Sequence, residues 1–204
     1  DAGTAITGGD YNTAVGSYAL DASTTAGQNT AVGYNALTAT TTSGHNTGVG
    51  YNVLAANTTG DGNVAMGSGA LESCTTGTKN TAVGTHALDV VTTASYNVAI
   101  GYGVLTNSTG ASNTAVGYWA LNGNTTAATN VAVGYQALKV NSTGGNNVAI
   151  GYDAMVANTT ASENTAVGVN ALTANTTGTY NTSVGSHALD ANTTGDRNTA
   201  LGHN

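Results

Sequence analysis

Residues Asn29–His45 read NTAVGYNALTATTTSGH, and at Asn46 the phrase restarts as NTGVGYNVLAANTTGDG. The same start recurs at Asn12, Asn29, Asn46, Asn63, Asn80, Asn97, Asn113, Asn130, Asn147, Asn164, Asn181 and Asn198. The starts lie seventeen residues apart, except for sixteen between Asn97 and Asn113. A fixed period of this size marks a stacked repeat architecture. With the recurrent Asn as position 1, position 5 is always Gly, position 4 always Val, Ile, Met or Leu, and position 9 always Leu or Met. The short phrase predicts one tighter turn between Leu105 and Asn107. Residues 1–11 fit poorly, with Gly3 where Leu is expected, and are read as a degenerate first turn or cap. Residues 12–204 form the repeat body, whose twelfth turn stops at its seventh residue; a stop in mid-phrase reads as an excerpt of a longer protein or a mature product.

Composition narrows the function classes. Charged residues make up 6% of the chain, with no Pro and no Phe, which is not the make-up of a solvated disordered tail. Three basic residues cannot build a phosphate-neutralising patch, so no nucleic-acid partner is expected. No apolar run is long enough for a membrane span, and no signal peptide is visible at the N-terminus. The single Cys74 cannot close an intrachain disulfide.

The three basic and ten acidic residues fall only on positions 7, 10, 16 and 17, counting Asp1 by extrapolation. Charges avoid burial, so these positions are read as wet corners. Positions 4 and 9 are read as the inside. The expected core is Val15, Leu20, Val32, Leu37, Val49, Leu54, Val83, Leu88, Ile100, Leu105, Val116, Leu121, Val133, Leu138, Ile150, Met155, Val167, Leu172, Val184 and Leu189. Positions 1–6 alternate with the period of a strand, Val and often Tyr on one face, Ala and Gly on the other. A second extended segment around positions 12–15 would turn one Thr column outward and one inward.

One such turn buries too little to offset the ordering of its backbone, at ~1–2 kcal/mol per residue. Stacking supplies the rest through axial hydrogen bonds and like-on-like columns. The expected fold is therefore all-β, a repetitive parallel β-roll or β-solenoid with 17-residue turns. Position 1 suits an amide ladder, and position 5 suits a positive φ or a close backbone. The small Ala-x-Gly face of positions 3 and 5 is expected to pack against other chains in a homotrimer, intertwined or side by side. Open rungs at both ends predict end-to-end stacking as well.

NVAIGY at Asn97–Tyr102 and Asn147–Tyr152 resembles the head repeat of trimeric autotransporter adhesins, a parallel β-roll of three chains. The longer phrase, pieced from Asn29–Leu37 and Ala171–Gly178, is similar to repeats of bacteriophage tail-fibre-type proteins. The resemblance covers residues 12–204 and implies a homotrimeric fibre segment that is extracellular, on a cell surface or on a virion tail fibre. The chaperone domain, coiled-coil stalk and membrane anchor found in such proteins are not among these residues.

The chemistry-bearing residues suggest no enzyme. His45, His86, His187 and His203 are scattered over the corners, too far apart for a metal set, and no cofactor is expected. Glu72 and Asp89, both at position 10 of successive turns, could lie close enough for paired acid–base work, yet no nucleophile accompanies them. Cys74 reads as a neutral replacement at position 12, and eight Asn-x-Ser/Thr sites read as turn chemistry. Tyr34, Tyr51, Tyr102, Tyr118, Tyr135 and Tyr152 share position 6, with Trp119 beside one of them. They are the candidate recognition surface, for a host carbohydrate or protein receptor, or they simply seal the edge of the roll. The expected function is a structural or adhesive fibre shaft; an ice-binding solenoid using Thr columns, or a self-assembling extracellular filament subunit, is the alternative.

Overall fold

A computed structural model describes residues 1–203; the last residue of the incomplete turn lies outside the described residues. The chain divides into two compact units, Asp1–Ile100 and Gly101–Asn204. In the first unit, six three-residue strands follow one another in chain order: β1 (Thr13–Val15), β2 (Thr30–Val32), β3 (Thr47–Val49), β4 (Val64–Met66), β5 (Thr81–Val83) and β6 (Val98–Ile100). They pair parallel with each residue opposite its equivalent seventeen positions on, as Thr13↔Thr30 and Ala82↔Ala99 show. The second unit repeats the scheme with β7 (Thr114–Val116), β8 (Val131–Val133), β9 (Val148–Ile150), β10 (Thr165–Val167), β11 (Thr182–Val184) and β12 (Thr199–Leu201). There the register runs from Thr114↔Val131 to Thr182↔Thr199. No helix occurs among the described residues. The protein is a parallel β-solenoid with 17-residue turns.

Each turn carries one strand, not two. The segment at positions 12–15 bends rather than extends, and both Thr columns lie on the outside. The position-13 hydroxyl donates to a carbonyl of the next turn, as Thr58 does to Thr75 O at 3.1 Å. Position 14 is exposed in every turn that has one, from Thr25 to Thr194. Positions 12 and 15 point inward instead.

The strand faces are the reverse of the expected ones. Ala31, Ala65, Ala82, Ala99, Ala115, Ala132, Ala149 and Ala166 at position 3 are fully buried. At position 4, Val15, Ile100 and Ile150 are exposed, while Val32, Val49, Val83, Val116, Val133, Val167 and Val184 are half-buried. The position-4 residues therefore do not form the core. The reason is the width of the coil. Leu20, Leu37, Leu54, Leu71, Leu88, Leu105, Leu121, Leu138, Met155 and Leu172 fill the interior completely, leaving room only for methyl-sized groups from the strand. A Cβ added to Gly48 at position 3 would sit 3.1 Å from Val53 and 3.4 Å from Leu37. The β-branched residues go outward, where they still favour the extended backbone. Leu189 keeps the expected direction but is only partly buried.

Tight corners close the coil. Position 5 takes φ between 118° and 144°, and a Cβ there would fall on the carbonyl of the equivalent glycine one turn on, as Gly134 would on Gly151. Position 9 is left-handed in all eleven turns, with Leu or Met φ between 50° and 54°. Side chains at φ > 0 cost about 1–2 kcal/mol each. Axial hydrogen bonds such as Leu138 N to Ala154 O at 3.0 Å, and the buried leucine itself, offset that cost.

Two asparagine ladders line the inside. At position 1, Asn130 Oδ1 accepts from the backbone N of Asn147 at 3.0 Å, and Asn147 Nδ2 donates to Ala161 O at 2.8 Å. At position 12, Asn158 Nδ2 donates to Asn141 Oδ1 at 2.8 Å and to the same Ala161 O at 3.0 Å. Both amides thus converge on the position-15 carbonyl, satisfying buried polar groups that would otherwise be costly. The sixteen-residue turn keeps this column: Ser108 Oγ accepts from Asn124 Nδ2 at 2.7 Å, and Thr109 Oγ1 donates to Thr125 O. The missing residue is therefore position 14, after Thr109, and not one between Leu105 and Asn107. Residues 1–11 stack in register as a partial turn without a strand, through Gly3 N to Ala19 O and Thr7 N to Thr24 O.

Candidate functional site

Positions 6, 7 and 10 meet on one corner just after the strand. Position 7 is left-handed, with φ between 50° and 62° for its non-glycine residues. In the second unit Tyr102, Tyr118, Tyr135 and Tyr152 stack along the coil, with ring centroids 5.5, 5.3 and 5.1 Å apart and planes within 10°. Trp119 lies against Tyr118 at 4.8 Å, and Lys139 Nζ sits 4.7 Å from the Trp119 ring. In the first unit Tyr34 and Tyr51 stack at 5.5 Å, and Tyr18 meets Tyr34 edge-on.

All seven aromatic residues singled out from the sequence thus stand on this corner, in two separate groups. Stacked rings cover one another's faces, so inside a ladder they offer water only edges and hydroxyls. That geometry removes the open platform on which a sugar ring would lie.

The titratable groups pair locally. His86 Nδ1 is 2.8 Å from Asp89 Oδ2, and His187 Nδ1 is 3.2 Å from Asp190 Oδ2. Glu72 Oε1 accepts from Asn52 Nδ2 at 3.0 Å. Glu72 and Asp89 therefore hold separate partners. The His–Asp pairs were readable as His at position 7 with Asp three residues on in the same two phrases. His203 is tilted against His187 at 6.2 Å. No group of three or more His, Cys, Asp or Glu able to hold a metal occurs among the described residues. Cys74 is fully buried, and burial pushes its thiol up to about 11, so it is no nucleophile at neutral pH. Burial also raises the Asp153 carboxyl, against the pull of Lys139.

A groove on a different corner was not foreseen. It has a volume of about 480 Å³ and is lined by residues of positions 14, 16 and 17, among them Asp10, Tyr11, Gln28, His45 and Asp61. Its floor exists because position 16 is Gly in two successive turns, Gly27 and Gly44, between Asp10 and Asp61 in the same column. His45 Nδ1 is 3.2 Å from Asp61 Oδ1 at its far end. The run Asp–Gly–Gly–Asp at one position is the signal that marks it, legible only once turns are aligned.

Neither the family models nor the curated proteins nor the solved structures compared with this chain give a match. The class is thus defined by the architecture alone, a parallel β-solenoid of 17-residue turns.

Proposed function

We propose that the chain is a structural or adhesive shaft segment of an extracellular or virion-borne fibre. One observation carries the reading: every turn presents the same uncharged outer sheet face, Thr or Val at position 2 and Val, Ile, Met or Leu at position 4. Each turn adds ~4.8 Å of identical surface, so copies yield length and a long apolar stripe. In a chain of net charge −7, this apolar face lets two copies meet without like-charge repulsion. It replaces the Ala-x-Gly face, whose alanines are inside the coil and whose glycines lie on the next turn's backbone. Self-association as a homotrimer uses this stripe, whereas end-to-end assembly as a filament would use the axial hydrogen-bonding groups of a turn; both leave the Tyr corners free for a surface receptor. No helix of the described residues is long and apolar enough to cross a membrane.

Light scattering with electron microscopy tests this. Defined multimers that fall apart when Val116, Val133 and Ile150 are changed together to Lys support it; a dispersed monomer in dilute solution overturns it. A second reading, ice binding, draws on the exposed position-14 threonines, whose column breaks at the sixteen-residue turn. Thermal hysteresis lost on replacing Thr143, Thr160 and Thr177 would favour that reading.

A further inference from the structure

Three tyrosines occupy position 17: Tyr11, Tyr96 and Tyr180. Two of them carry a cation from the neighbouring turn of the same column. Lys79 Nζ stands 5.5 Å from the Tyr96 ring centroid, and Arg197 Cζ 5.3 Å from that of Tyr180. These are ordinary cation–π distances. At Tyr11, which is 84% exposed, the next residue of the column is the neutral Gln28.

Tyr11 also lines the groove just described, which has a carboxylate at each end of its glycine floor and no Lys or Arg along it. Asp10 and Asp61 are three turns apart, roughly 14 Å at ~4.8 Å per turn. Between them Thr25, Gln28 and Thr42 face the same space. The charged and titratable groups lining the groove are Asp10, Asp61, His45 and the Tyr11 phenol.

We infer that this groove binds a linear aliphatic polyamine, with one ammonium on the Tyr11 ring beside Asp10 and the other end at Asp61. The chain's own Arg197–Tyr180 pair shows which contact the first ammonium makes. The methylene chain crosses the glycine floor, where the absence of side chains leaves it room, and the threonine hydroxyls and the Gln28 amide carbonyl accept from the inner N–H groups. Anionic ligands are disfavoured by the two carboxylates, and a single small cation would satisfy only one end.

Calorimetric titration of the whole chain with spermidine tests this, with putrescine and magnesium chloride as comparisons. Saturable 1:1 binding of spermidine, tighter than that of putrescine or magnesium, is expected. Gln28→Arg should supply the cation internally, in the geometry of Arg197, and weaken spermidine about tenfold or more. Asp61→Asn and Tyr11→Asn should each weaken it about fivefold. Ala22→Arg, which makes the same charge change on another corner, should leave it within twofold. Absence of spermidine binding overturns the inference. So does an equal loss in Gln28→Arg and Ala22→Arg, which would mean diffuse attraction to an acidic chain.

Discussion

The two units share the position-1 asparagine ladder but differ at position 12. In the second unit Ser108 is followed by Asn124, Asn141, Asn158, Asn175 and Asn192. Each asparagine Nδ2 from Asn141 onward donates to the Oδ1 one turn back, at 3.5, 2.8, 3.2 and 3.1 Å. In the first unit the same column reads Ser23, Thr40, Asn57, Cys74, Val91. There the Ser23 and Thr40 hydroxyls and Asn57 Oδ1 are buried without a hydrogen-bond partner. The position-6 column differs likewise, four tyrosines stacking in the second unit and two in the first. A buried polar column is satisfied where the neighbouring turn supplies the matching donor or acceptor, as Asn124 does for Ser108. Cys74 supplies no amide to Asn57 Oδ1, and each such orphan forfeits about 1–3 kcal/mol of desolvation.

The largest expected effect lies in the intact ladder. Asn158→Ala removes the donor to Asn141 and to Ala161 O and should cost about 2–3 kcal/mol in urea unfolding followed by Trp119 fluorescence. A cost below about 0.5 kcal/mol would mean that the ladder is ornamental. Next comes repair of the broken one. An amide at position 74 would donate to Asn57 Oδ1 in the direction used throughout the second unit, so Cys74→Asn should stabilise the first unit by about 1 kcal/mol. Thr40→Val, which deletes an unpaired buried hydroxyl with little change of shape, should be neutral or stabilising by about 0.5 kcal/mol. A clear loss on Thr40→Val would show that this hydroxyl has a partner after all.

The smallest effect at neutral pH is the titration of Cys74, which shows only in alkali. Burial raises the thiol from its ordinary value to about 11 in the folded chain. The unfolded thiol loses its proton first, near ~8.5. Stability is therefore unaffected below that value and declines as pH rises towards 11. Thiol alkylation in native conditions should stay slow at neutral pH, and a fast reaction would contradict the burial.

The period, the leucine column and the parallel stacking were legible because each is a recurrence along one chain. The wet corners were not: positions 7, 10 and 16 are mostly half-buried, and Asp153 Oδ1 is buried, despite the charges they carry. The direction of the strand was not. Hydrophobicity ranks Val133 above Ala132, but the coil is one leucine wide, and volume rather than polarity decided which of the two points in. The gap in the sixteen-residue turn was misplaced for a similar reason. Asn107-Ser-Thr resembles the NTT of other phrases, yet Ser108 holds the buried column opposite Asn124. The left-handed backbone at Leu138 and its equivalents leaves no mark in the residue type, whereas position 7, rich in Asn, Gly and His, carries one. The Tyr column was visible; that its members hide one another's faces was not.

Within each unit the strands lie on one another with a seventeen-residue offset, and engineered disulfides read that offset directly. Thr143→Cys with Thr160→Cys places two exposed thiols one axial step apart, ~4.8 Å between backbones, within reach of a disulfide. In a Cys74→Ser background this pair should close rapidly and within one chain, whereas Thr143→Cys with Ser162→Cys should not. Equal rates for the two pairs, or faster closure of the second, would contradict the stacking described here.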